Sequence, residues 1–242
     1  MTGATIVVVG VGDTIADLVS DHRSIERALV QVKMPRMSRS ELAEAITRGL
    51  KRLRMTITDS AKKRITQLSE GLPSVTHLLT QHAARVAVED DRQAIEDRDV
   101  DKATKLSVKK AQQSILADYE KATRSPRTDN LFEEVILACA LAPKNDLGWF
   151  TPVSVCEPIS KIMGKMYRVS AFVRHLNEFV GDEHAEILEK DGVPRKFVYR
   201  FRSPLMQAYV ILRGIADGRI DESILQEFRP NDPDPFDAAF GA

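Results

Sequence analysis

Only two cysteines, Cys139 and Cys156, occur in the 242 residues, and neither has a second Cys or His at ligand spacing. That argues against a structural zinc site, gives no sign of an oxidising compartment, and leaves both to be read as buried free thiols. Charge of one sign is also missing, since 35 Lys plus Arg face 35 Asp plus Glu. With zero formal net charge the chain as a whole has no pull on nucleic acid or membrane, and any such affinity has to come from a local patch. No long apolar run is present: the β-branched stretch at 5–9 is too short for a signal core, and nothing later approaches the ~20 residues of a membrane span. The expectation is a cytoplasmic protein without a membrane partner.

An intact phosphate-binding loop is absent as well. The stretch 158–166 contains Gly164-Lys165 but lacks the upstream glycine and the following Ser or Thr, and Gly10-Val11-Gly12-Asp13 has no lysine. His22, His77, His82, His175 and His184 are scattered, and no Ser/His/Asp or Cys/His pattern stands out. The isolated chain is therefore expected to have no catalytic centre of its own and not to hydrolyse ATP.

What is present is the mixture of a globular protein, 43% hydrophobic and 29% charged. Residues 5–9 and 30–34 read as short strands joined by a helical stretch. Ser38-Arg39-Ser40-Glu41 is a capping box that opens a helix. Further helices are expected at about 58–69, ending at Gly71, from Pro73 onward, and at about 99–123, which together make a four-helix unit. The polar, proline-broken stretch 124–129 is the best boundary in the chain. After it come a core helix at 131–141, an extended link at 149–152, a helix at 153–163, a turn, and a helix capped by Ser170. Two alternating strands around Asp191-Gly192 and a last helix from Pro204 follow. That order is the order of a winged helix-turn-helix. The remainder, 221–242, reads as a mobile acidic tail.

Between Ser160 and Leu176 there is no acid, while Lys161, Lys165, Arg168, Arg174 and His175 are there. Such a local excess is what a phosphate-contacting surface needs, because each neutralised phosphate releases counterions. Ser170, Arg174, His175 and Asn177 are the expected exposed positions of a recognition helix, with Phe172, Val173 and Leu176 facing the core. Lys190, Arg195 and Lys196 in the hairpin suit backbone or minor-groove contacts. Double-stranded DNA is the expected partner.

The order of elements, with the strings 7–13, 24–27, 34–38, 69–73 and 199–205, resembles the C-terminal part of a prokaryotic AAA+ ATPase related to the origin-initiator clade. The resemblance implies a mainly α fold with a small β component. It divides the chain into a remnant of an α/β ATPase core (1–36), a helical lid (37–124), a winged-helix domain (125–220) and the tail. It further implies a polar sensor at Asp13 and an arginine finger at Arg27, or at Arg23 in its place, reaching a neighbouring subunit in a homo-oligomer. A desolvated guanidinium there stabilises transition-state charge. ATP and magnesium are implied for a full-length member, whose Walker elements would lie upstream of Met1. The lid departs from the pattern, since Ser74 stands near where a second sensor arginine is expected. The function so implied is the lid and DNA-binding portion of a DNA-associated ATP-binding protein. The alternatives are a stand-alone winged-helix transcription regulator or a protein-interaction module.

Overall fold

The computed structural model describes residues 36–126, 130–145 and 147–228. The strands expected at 5–9 and 30–34, and the positions Asp13, Arg23 and Arg27, lie outside them. The described residues are mainly α-helical, with a small β component of two two-stranded pairs.

Helix α1 (Arg39–Arg52) opens at the expected capping box: Glu41 N–H donates to Ser38 Oγ, and Ser38 N–H donates to Glu41 Oε2 at 2.8 Å. Its Leu42, Ile46 and Leu50 are buried. Helix α2 (Asp59–Leu68) starts at the Thr58 hydroxyl and α3 (Pro73–Glu89) at its proline. Gly71 joins them with φ +73°; a Cβ there would lie 2.7 Å from Arg36 Cβ, so only glycine fits both the left-handed backbone and the space.

The fourth expected helix is two. Helix α4 (Asp97–Lys109) ends at Lys110, and α5 (Gln113–Thr123) begins after Gln112 takes an extended ψ of 138°. Helix α4 buries Val100, Ala103 and Thr104 and packs on α3, whereas Tyr119 of α5 meets Tyr209 edge-on at 5.3 Å. One straight helix cannot serve two such surfaces, and the polar Lys109-Lys110-Ala111-Gln112 is where the direction changes. The bundle thus has five helices among the described residues. It also holds a parallel pair that the sequence did not signal, β1 (Thr56–Ile57) with β2 (Ala94–Ile95).

Helix α6 (Phe132–Leu141) is buried at every position except Glu133 and Glu134. Its last carbonyls are closed by Lys144, whose Nζ donates to Cys139 O, Ala140 O and Ala142 O at 2.8–2.9 Å. Cys139 is a buried free thiol as expected, while Cys156 is half-buried. Phe150 then bridges Tyr199 antiparallel, a 3-10 turn spans Val153–Val155, and α7 (Cys156–Met163) ends at the left-handed Gly164. Helix α8 (Val169–Glu178), strands β3 (Leu188–Asp191) and β4 (Val198–Phe201), and α9 (Pro204–Ala216) complete the expected order. The strands pair Leu188 with Phe201 and Asp191 with Val198.

Three expectations are corrected here. Ser170 is not the cap of α8: Arg168 occupies that position, with no side-chain cap, and Ser170 lies inside the first turn. Asp191 is not in the hairpin turn: it is the last residue of β3, paired with Val198, and the turn is the six residues between them, with Gly192 (φ +99°) and Arg195 (φ +73°) in left-handed backbone. The tail does not begin at Asp221. That side chain accepts from Ile224 N–H and starts α10 (Glu222–Glu227), which buries Leu225 ahead of a buried Phe228.

Helix α9 packs against α4 and α5 of the bundle as well as α6, and the described residues belong to one compact unit that starts at Arg36. Arg64 ties α10 to the bundle, its Nε and Nη2 donating to Glu222 at 2.6–3.0 Å and its Nη2 to Asp101 at 2.6 Å.

Candidate nucleic-acid interface

Helix α8 is anchored by Phe172 and Leu176, both fully buried, and followed by buried Phe179. That spacing sets which side chains face outward. Ser170, Ala171, Arg174 and Asn177 are exposed. His175 is not. It lies on the inward stripe between Phe172 and Phe179, edge-on to the Phe132 ring at 4.8 Å, and its Nδ1 has no hydrogen-bond partner among the described residues. Burial lowers its pKa and favours the neutral imidazole. A packed His175 cannot read a base edge, which corrects its assignment to the exposed face. Val173 is corrected in the other direction: it is half-buried and turned toward the hairpin instead of the main core.

The exposed polar positions differ in how committed they are. Arg174 is 77% exposed and its Nε donates to Glu178 at 2.8 Å, an exposed i,i+4 pair that costs little to break. Asn177 is fully engaged. Its Nδ2 donates to Val173 O, and its Oδ1 accepts from Lys190 Nζ at 2.8 Å and from the Tyr199 hydroxyl at 3.0 Å. Lys190 is therefore held on the body of the protein, its Nζ 3.9 Å from the centre of the Phe197 ring.

Lys161 pairs with Glu227 of α10 at 2.9 Å, which raises its pKa through that hydrogen bond and charge. Lys165 leans on the Tyr167 ring at 5.3 Å. Lys165, Arg168, Arg195 and Lys196 are all exposed and have no acidic partner among the described residues. Lys165 and Arg168 precede the first turn of α8, where unpaired amides and the helix dipole favour an anion.

Between α8 and the hairpin runs a groove of about 550 Å³, with Val153, Val169, Val173 and Phe197 on its walls and Arg195 and Lys196 at its rim. Val153 is 70% exposed. Sequence reasoning missed this groove because its walls come from three separated segments. It also missed the Glu227 partner of Lys161, which lies 66 positions away in a stretch read as tail.

The Gly164-Lys165 stretch forms no phosphate cradle: Gly164 closes a helix in left-handed backbone, and Lys161 sits inside that helix, not after a strand. Among the described residues no three His, Cys, Asp or Glu side chains converge to hold a metal, and no helix is long and apolar enough to cross a membrane. No protein-family model matches the chain, and no curated protein matches it in sequence.

Proposed function

We propose that the C-terminal region is a winged helix-turn-helix that binds duplex DNA, with α7 and α8 as its two helices and the β3–β4 hairpin as its wing. The observation that carries the reading is the grouping of Lys165, Arg168, Arg195 and Lys196, exposed and without acidic partners among the described residues, around the N-terminal half of α8. In a chain of zero net charge such a grouping supplies a local surface for phosphates. Arg174, released from Glu178, is the side chain available for a base edge. His175, Asn177 and Lys190 are structural in this reading, and Lys161 contributes only when Glu227 lets it go.

More particularly, we propose that the chain is the lid and DNA-binding portion of a DNA-associated AAA+ ATP-binding protein, with residues 37–124 as the lid. The succession of a helical bundle and a helix-turn-helix region with a hairpin supports it. ATP and magnesium belong to this reading only as what a full-length member would bind, and no catalytic step is assigned to the described residues. Fluorescence anisotropy of a labelled duplex, titrated with the whole chain at several salt concentrations, tests the DNA reading. Binding that weakens steeply with salt is expected; no binding at low salt would overturn it.

A further inference from the structure

The groove beside α8 is more apolar than a phosphate-binding surface needs. Val153, Val169, Val173 and Phe197 form its walls, and among the described residues its cations are Arg195 and Lys196, at the rim. Such a site suits an acidic segment with an apolar anchor. The sequence after Phe228 has that chemistry. Beyond Arg229 it contains Asp232, Asp234 and Asp237, no lysine or arginine, and two aromatic side chains, Phe236 and Phe240. Pro230, Pro233 and Pro235 restrict the chain toward an extended form, which lowers the entropy lost when such a segment is bound along a groove.

Geometry places the start of that segment within reach. Phe228 is buried and Glu227 is tied to Lys161 on α7. From Lys161 back to Val153 the chain is one continuous run of α and 3-10 turns, so at about 1.5–2.0 Å per residue those two positions are about 12–16 Å apart. Residues 229–236, fully extended, reach about 26–29 Å. With the span of the Glu227–Lys161 pair added, on the order of 10 Å, the path stays within that reach, so Phe236 can enter the groove.

We propose that residues 229–242 dock in this groove of the same chain, with Phe236 or Phe240 among Val153, Val169, Val173 and Phe197 and the aspartates against Arg195 and Lys196. The segment and duplex DNA then need the same two cations, so docking restrains DNA binding; this second half rests on the DNA reading above, and the first half does not.

The test compares the whole chain with the whole chain carrying Phe236→Ser and Phe240→Ser, substitutions outside the described core. Methyl NMR reads docking directly. The Val153, Val169 and Val173 resonances should shift in the variant, while those of Leu79 and Val100 in the bundle stay in place. Anisotropy on a short duplex at low salt reads the competition, and the variant should bind several-fold more tightly. Unchanged groove resonances overturn the docking. Shifts that vary with protein concentration place the segment on a second copy and overturn the intramolecular form. Groove shifts without DNA binding by either protein uphold docking and overturn the DNA reading instead. Groove shifts with equal DNA affinity overturn the restraint.

Discussion

Asn177 on α8 and Lys190 on β3 are joined by a 2.8 Å hydrogen bond, so the end of the proposed recognition helix is tied to the hairpin beside it. Because the same Oδ1 accepts from the nearly buried Tyr199 hydroxyl, Asn177→Ala leaves a phenol and an ammonium without their acceptor. We expect a loss of about 1–2 kcal/mol in stability, the usual cost of an orphaned polar group. Urea denaturation of the variant measures it. A variant as stable as the parent would mean that Asn177 is free to serve as a base-reading side chain after all.

His82 predicts a pH dependence. It is buried on α3, neither ring nitrogen has a hydrogen-bond partner among the described residues, and burial together with Lys110 and Arg85 lowers its pKa. The folded state thus binds a proton less readily than the unfolded chain, whose histidine titrates near about 6.5. Stability should hold above that pH and fall as pH drops through it, with the charged imidazole favouring the unfolded form. His175, lowered by burial too, acts in the same direction. His82→Leu should shrink the difference in urea midpoint between pH 7.5 and pH 5.5; an unchanged difference would remove His82 from the explanation.

Gly214 lies inside α9, where alanine ordinarily gains about 1 kcal/mol by helix propensity. Here an added Cβ would sit 2.8 and 3.0 Å from the two Cδ atoms of buried Leu137 on α6. Overpacking of about 1–3 kcal/mol outweighs the gain, so Gly214→Ala should lower the melting temperature. In a double-mutant cycle with Leu137→Ala the combined loss should be less than the sum of the two separate losses, which separates crowding from a backbone effect.

Much of this architecture was legible because its signals are local. Ser38 with Glu41, Gly71 before Pro73, and the switch to alternation at 187–201 each depend on residues a few positions apart. The strands β1 and β2 gave no signal, since two residues cannot show a period and their pairing is set by distant packing. The break at 110–112 has neither glycine nor proline to mark it. For α10 the signal existed: Asp221 stands at a cap position with Ile224, Leu225 and Phe228 following at helical spacing, but the acidic, proline-rich composition beyond it dominated the reading. The basic residues of 161–196 were found, yet composition alone could not tell Lys190, held over Phe197, from Lys196, which has no acidic partner among the described residues. That distinction exists only once α8, the hairpin and α10 are folded together.

The proposed DNA binding makes different demands on the cations according to their partners. Neutralising Lys165 or Lys196, to Gln, should each weaken all duplexes alike and flatten the salt slope by about one. Lys190→Gln should change the slope little while lowering stability. Arg174→Ala should cost several-fold or more on a preferred site and little on random sequence. Anisotropy at several salt concentrations separates these outcomes, and equal effects from all four would contradict the division drawn above.

Arg36, ahead of the bundle, donates to Gln207 in α9, and the same glutamine donates to Ala140 O of α6. The polar boundary at 124–129 is therefore a boundary along the chain and not through the interior, which is continuous from α4 across α9 to α6. Heating should accordingly melt residues 36–228 in one cooperative step, with calorimetric and van't Hoff enthalpies in agreement. Mechanically, a turn of the bundle would carry α8 with it, as a handle carries a blade, without any hinge at the proline.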